Sequence, residues 1–246
     1  MDRLIYTAMS GANAAANRQA VLANNLANAS TDGFRAELST YRAVPLRGEG
    51  ATTRVFAVEA TAGFLDRPGP AQQTGRALDV MTSGNSWFAV QGLDGTEAYT
   101  RNGHFEVSSE GALQTSNGLP VLSSGGAPIT IPLGAEVSIG HDGTISAKVG
   151  SQPGSAVGRL KLATPTGDDP LHRGDDGLFR AESGDPINSD ETARVHVGAL
   201  EGSNVNTIET MVGMIQTARQ FETQMRLLQS AESNDRSAAQ LLGMQG

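Results

Sequence analysis

Asp168, Asp169, His172, Asp175 and Asp176 are the one cluster in this chain whose residue types could hold a divalent cation, through carboxylate and imidazole ligands. The order of ligands found in a calcium loop is absent, so the stretch reads as a solvated loop. The four histidines, His104, His141, His172 and His196, lack the HExxH spacing of a zinc site. His104 and His141 stand beside turn sequences and are expected at the surface. No GxSxG elbow, phosphate-binding loop or dinucleotide fingerprint occurs. With no cysteine, thiol nucleophiles, zinc ribbons and disulfides are excluded. Asn28-Ala29-Ser30 fits the glycosylation pattern, but a helix-end turn accounts for the same residues. A Ser-His-Asp set or carboxylate pair drawn from distant positions leaves no linear signature. The reading is therefore no catalytic residue, no metal and no cofactor.

What the chain must build is clearer. Its 246 residues suffice for a real core in one large domain or two ordinary ones. Glycine occurs 30 times, above the ~7% usual in globular chains, which favours turn-rich β structure over a helical bundle. The net charge is −8 and only Lys148 and Lys161 are lysines. Nucleic acid is thus an improbable partner, because its binding rests on neutralising phosphates. No apolar run approaches the ~18 residues of a membrane span. The opening MDRLIYTAMSGANAAANRQ lacks the basic and apolar regions of a secretory signal, so on composition alone a cytoplasmic soluble protein is expected.

The ends differ from the middle. All ten prolines lie between Pro45 and Pro186, and glycine is nearly missing from both terminal stretches. Helix, Gly/Pro-rich body, helix is the predicted order. The first helix should run from about Arg3 to Asn28, with Ile5, Ala8, Ala12, Ala15, Leu22 and Leu26 on an alternating three-four spacing that Gln19 interrupts. Asn24, Asn25 and Asn28 and the turn Ser30-Thr31-Asp32-Gly33 then stop it ahead of Phe34. The last helix should start at Asn206 as N-cap, with Glu209 completing a capping-box pattern. Its apolar positions are Ile208, Met211, Ile215, Ala218, Met225 and Leu228. One stripe is small and the other bulky, so the two look complementary. Packing of each helix on the body and coiled-coil-like pairing of the two ends are both open on period alone.

Between them, Asp94-Gly95, Asn102-Gly103, Glu110-Gly111 and Asn117-Gly118 recur every seven or eight residues, separated by strand-like segments at 87–91, 98–101, 105–107 and 119–122. This spacing predicts an antiparallel meander. Further strands are expected at 129–131, 137–139, 145–147, 159–162 and 194–197, with Trp87 and Phe88 in the core. Periodicity is weaker across residues 37–73, which read as an extended arm.

Leu22 to Arg35, LANNLANASTDGFR, closely resembles the N-terminal motif of the bacterial flagellar rod and hook proteins. Leu200 to Val205, LEGSNV, looks like that family's lead-in to the last helix, and Arg219, Phe221 and Glu222 resemble its R.FE pattern. Leu78-Asp79-Val80 and Tyr99-Thr100-Arg101-Asn102-Gly103 resemble its shared β-domain motifs. The opening MDRLIYTAM and the string Arg173 to Arg180 resemble a proximal-rod member more than the distal-rod one. Gly84-Asn85-Ser86-Trp87-Phe88 departs from the family's glycine-bracketed turn.

The resemblance implies a mixed α and β fold, in which long terminal helices pair in a coiled-coil-like core and flank a central antiparallel β-rich domain. The implied division is an N-terminal rod helix and turn at 1–34, an extended arm at 35–74, a β-rich outer domain at 75–202 and a C-terminal rod helix at 203–246. It further implies a non-enzymatic structural subunit of the proximal rod, stacking helically into the hollow shaft that carries motor torque. Its partners would be itself, the other proximal-rod proteins, the distal-rod protein and the flagellar type III export apparatus. Its place would be the periplasm-spanning basal body, without nucleic acid or membrane insertion. The implied assembly residues are Ile5, Ala8, Ala12, Ala15, Leu22, Asn24, Asn25, Leu26, Asn28, Gly33 and Phe34, with Ser203, Asn204, Ile208, Met211, Ile215, Ala218, Arg219, Phe221, Met225 and Leu228. Alternatives are another axial protein of the family or, from a different class, a secreted β-domain enzyme or carbohydrate binder.

Overall fold

The computed structural model describes residues 2–45, 55–150 and 153–243. It divides into two compact units, one formed by Met1–Ala29, Ala36–Leu65 and Val205–Gly246, the other by Ser30–Arg35 and Asp66–Asn204.

The first unit holds two helices and a hairpin. Helix α1, Asp2–Ala27, ends where Asn28 N–H bonds the Asn24 carbonyl, and the glycine stop follows at Gly33 with φ +71°. Strands β1, Glu37–Pro45, and β2, Val55–Phe64, pair antiparallel with one register shift between Thr40 and Tyr41. Residues 46–54 of the expected arm lie outside the described residues. Helix α2, Thr207–Gly243, is capped as its sequence requires: Asn206 Oδ1 accepts from Glu209 N–H at 3.2 Å. The two helices run antiparallel, with Gly11 beside Gln224 and Gly213 beside Leu22.

The second unit is a β body of short antiparallel strands. Its largest sheet orders Leu162–Ala163, Trp87–Gln91, Glu97–Thr100, Phe179–Ala181 and Leu171–Arg173, and Glu136–Ile139, Thr144–Lys148 and Ser155–Arg159 form another. The core gathers Val80, Phe88, Phe105, Leu113, Ile145 and Leu160, with Phe88 edge-on to Phe105 at 5.1 Å. Strand alternation sends Trp87 to the face opposite Phe88, where it meets Phe179 at 4.6 Å.

One turn chemistry recurs through the body. In Gly92-Leu93-Asp94-Gly95-Thr96, Gly92 N–H bonds the Thr96 carbonyl, Gly95 N–H bonds the Gly92 carbonyl, and Asp94 Oδ1 accepts from Thr96 N–H. Gly140 to Thr144 and Gly174 to Leu178 repeat all three bonds. Each tip glycine takes positive φ, which lets a short loop follow the sheet's twist. Asn102-Gly103 is different and corrects the expected hairpin there. Gly103 has no positive φ; a Cβ on it would lie 1.7 Å from the Val80 oxygen, so this glycine serves a close backbone approach. His104, expected at the surface, is instead half-buried against Asp79 at 3.2 Å, while His141 is exposed as expected.

Candidate assembly site

Three charged residues that read as ordinary surface charges in the sequence meet in the interior of the β body. Glu201 and Arg35 have fully buried side chains and form a direct ion pair, and Arg101 Nη1 reaches the other carboxylate oxygen at 3.3 Å. Gly69 N–H also donates to Glu201 Oε1 at 2.9 Å. Arg101 is pinned in turn by Thr82 Oγ1 at 2.6 Å and the Gly84 carbonyl at 2.9 Å. Both guanidinium groups lie over the Trp87 ring, at 5.8 and 5.0 Å from its centre. That ring face compensates part of what Arg35 Nε, Arg35 Nη2 and Arg101 Nε lose, since they find no hydrogen-bond partner among the described residues. Burial pushes the Arg101 guanidinium down to about 10, opposed by Glu201, and it stays a cation at neutral pH. Breaking such a buried pair by deleting one partner costs about 3–5 kcal/mol.

The network explains why the three motif strings belong together. LANNLANASTDGFR brings Arg35, YTRNG brings Arg101 and LEGSNV brings Glu201. Gly33 serves the same junction: its N–H bonds the Glu201 carbonyl at 2.6 Å, and a Cβ there would sit 2.4 Å from Arg101 backbone. Phe34 is buried under the Arg173 guanidinium at 4.6 Å, and Asn204 N–H bonds the Phe34 carbonyl at 3.3 Å. Ser203 is buried beside it in sequence. Sequence reasoning named Gly33, Phe34, Ser203 and Asn204 but missed Arg35, Arg101 and Glu201. Their one available signal was position, inside each motif next to residues already singled out.

The helical unit places the remaining residues. Ala8, Ala12 and Ala15 are buried, and Ile5, Leu22 and Leu26 are half-buried. Asn25 is buried and clips the hairpin: its Nδ2 donates to the Glu37 carbonyl at 2.9 Å, and its Oδ1 accepts from Glu37 N–H at 2.8 Å. In this way one side chain imitates a paired strand residue. Asn28 Nδ2 donates to the Asn24 carbonyl at 2.9 Å, and Asn24 itself is exposed.

Helix α2 corrects the expected complementarity. The α2 side turned inward carries Thr210, Gly213, Thr217, Gln224 and Ala231, with Met214 half-buried, and a glycine of each helix takes up a larger side chain of the other: Gly213 meets Leu22 and Gly11 meets Gln224. Much of the bulky stripe is left outside the seam, with Phe221 at its edge. Ile208 is 77% exposed and Ile215 56%, and Met211, Val212, Ala218, Arg219, Phe221 and Met225 are exposed with them; Leu228 is half-buried. The reason is geometric: glycine and threonine let the helix backbones approach, and isoleucine in their place would hold them apart. Even so, a cavity of about 370 Å³ opens in the seam beside Ala15, Gln19, Thr217 and Phe221.

Two of the acidic loop's carboxylates, Asp169 and Asp176, are taken up by local hydrogen bonds. Asp176 accepts from Arg180 and from Leu178 N–H, and Asp169 accepts from Ser183 Oγ and N–H, which together hold both below the ordinary carboxylate range.

Three family models, each matching one part of this helix, β body and helix order, place the chain in the flagellar rod and hook class. Residues 5–35 match the flagella basal body rod protein model, 81–147 the flagellar hook protein FlgE/F/G D1 domain, and 196–241 the flagellar basal body rod FlgEFG protein C-terminal model. The chain is 47% identical to the flagellar basal-body rod protein FlgF of Escherichia coli (strain K12), over 99% of this chain and all of the relative. It is equally identical to FlgF of Salmonella typhimurium over the same shares. Against the rod protein FlgG of Bacillus subtilis identity falls to 29%, over 94% of this chain and 96% of the relative. The chain belongs to the FlgF family of flagellar basal-body rod proteins and is a structural rod subunit.

Proposed function

We propose that this subunit builds the proximal rod by seating the outward ridge of α2 on neighbouring subunits, so that paired terminal helices form a coiled-coil-like core of a hollow, torque-carrying shaft. The ridge is the observation that carries the reading. Its bulky residues forgo roughly 1.5–3 kcal/mol each while they stand in water, relative to full burial. An exposed patch of this kind marks an interaction surface. The α1–α2 seam supports helix pairing, because Thr210, Gly213, Thr217, Gln224 and Ala231 keep three-, four- and seven-residue spacings. Partners would be further copies of this chain, other proximal-rod proteins and the distal-rod protein, after passage through the flagellar type III export apparatus. The subunit's place is the periplasm-spanning basal body, and its role is mechanical rather than catalytic. No described helix is long and apolar enough to cross a membrane.

Electron microscopy of basal bodies from a strain lacking the gene tests the proposal. Rods should stop before the distal segment and hook, and the cells should not swim. Normal filaments and swimming in that strain would sink the idea.

A further inference from the structure

We propose that Glu201 is a positioning residue whose single buried carboxylate clasps the stretches by which the chain passes between its two units. The chain changes unit at residues 29/30, 35/36, 65/66 and 204/205. The stretch 30–35 contributes Arg35 to the carboxylate and Gly33 N–H to the Glu201 carbonyl at 2.6 Å. The stretch that begins at Asp66 contributes Gly69 N–H, at 2.9 Å from Oε1. The departing stretch contains Glu201 itself, and Asn204 ties it to the other two through the Phe34 carbonyl at 3.3 Å and the Arg67 carbonyl at 2.9 Å. Arg101, at 3.3 Å, fastens the carboxylate to the body.

Force drawn along any one of these stretches reaches the body at the same group. Apolar contacts slide at little cost, whereas a buried carboxylate held by one nitrogen of each of two guanidinium groups and by a backbone N–H resists displacement. A rod subunit under torque needs that hold. The mechanical consequence rests on the rod-subunit reading above; the clasp itself does not.

Glu201→Gln in the full chain keeps the shape and removes the charge. Hydrogen exchange should show the amides of Gly33, Gly69 and Asn204 losing protection together, by on the order of tenfold, while Leu113 and Val121 in the body keep theirs. A change confined to Gly69, or one shared equally by Leu113 and Val121, overturns the clasp. If that variant does not fold, Arg35→Lys carries the same measurement with the same two outcomes, since it keeps the charge but loses the planar guanidinium that reaches Glu201 and lies over Trp87. In cells, E201Q should build rods yet lose swimming speed steeply as medium viscosity rises, beside Ile145→Val as a body-destabilised control. Equal viscosity responses in the two strains overturn the positioning role. Failure of the rod reading shows separately, as normal swimming when the gene is deleted.

Discussion

Phe88, Phe105, Leu113 and Ile145 are sealed inside the β body, whereas Ile208, Met211, Ile215 and Met225 stand in solvent along α2. The body spends its large side chains on its own core. The helical unit turns mostly small and polar groups of α2 inward and leaves Ile208, Met211 and Ile215 exposed. One region buries its bulk within the monomer; on the proposed reading, the other is completed by neighbouring subunits. Helices that bury mainly alanine are also marginal by themselves, because a narrow small-residue stripe offsets little of the ordering cost.

The largest effect should come from the ridge. Ile215→Asp is expected to abolish motility and rod incorporation while leaving the melting temperature of the purified monomer within about 0.5 kcal/mol equivalent of wild type. Ala12→Trp attacks the seam instead, and should also abolish motility without altering the body's melt. A body that melts earlier in either variant would break the division between complete and incomplete regions. Leu113→Ala is the converse test, expected to cost about 2–5 kcal/mol in denaturant unfolding through cavity formation.

Hydrogen exchange sharpens the comparison without mutation. In dilute monomer, amides from Ala8 to Leu26 and from Met211 to Leu228 should exchange much faster than those of Leu113 or Val121. Strong protection along both helices would mean that the seam suffices without neighbours. Asn25→Ala removes two bonds to Glu37 and should cost about 1–3 kcal/mol, read as lost protection in β1 and β2.

The smallest effect is electrostatic and belongs to the body's turns. The Thr192 hydroxyl, then the Thr164 hydroxyl and Thr192 N–H, hold Asp190 down to about 2 from 3.8. A carboxyl depressed in the folded state stabilises above its unfolded pKa, and that contribution is lost as pH falls from near 4 towards 2. Asp190 is only half-buried, so solvent screening keeps the term below about 1 kcal/mol. Asp190→Asn should flatten the acid limb of a stability-versus-pH curve between those values and leave neutral stability slightly lowered. An unchanged acid limb would remove Asp190 from the account.

Local chemistry was legible and distant chemistry was not. Both helices could be read because capping by Asn206, the asparagine-rich stop and the absence of proline act within a turn or two. The strand at 87–91 was readable because Asp94-Gly95 sets its hairpin over a short span, and the one at 105–107 because Glu110-Gly111 does the same, while the segment expected at 194–197 was read from its own residues and pairs with distant Val80–Thr82. The β1–β2 hairpin was missed because alternate residues of β1 are only half-buried, so its period-two pattern is faint. Asn102-Gly103 misled because a dipeptide does not say whether glycine supplies a positive φ or room for Val80. The face of α2 that meets α1 was misjudged because hydrophobicity shows which side wants burial and not which neighbour provides it. Arg35, Arg101 and Glu201 looked like surface charges because no partner lies near any of them in the chain.

That last separation has a kinetic meaning. Arg35 and Glu201 stand 166 positions apart, while the body's hairpins close over a few residues each. Loop closure of that length is entropically slow, so the hairpins form first and the ion pair shuts last. A chain delivered from its N-terminus would hold Arg35 without its counter-ion until nearly all of the body had arrived. Completion of the fold is thereby tied to delivery of the last part of the polypeptide, and a truncated product ending before Glu201 has no means of sealing itself.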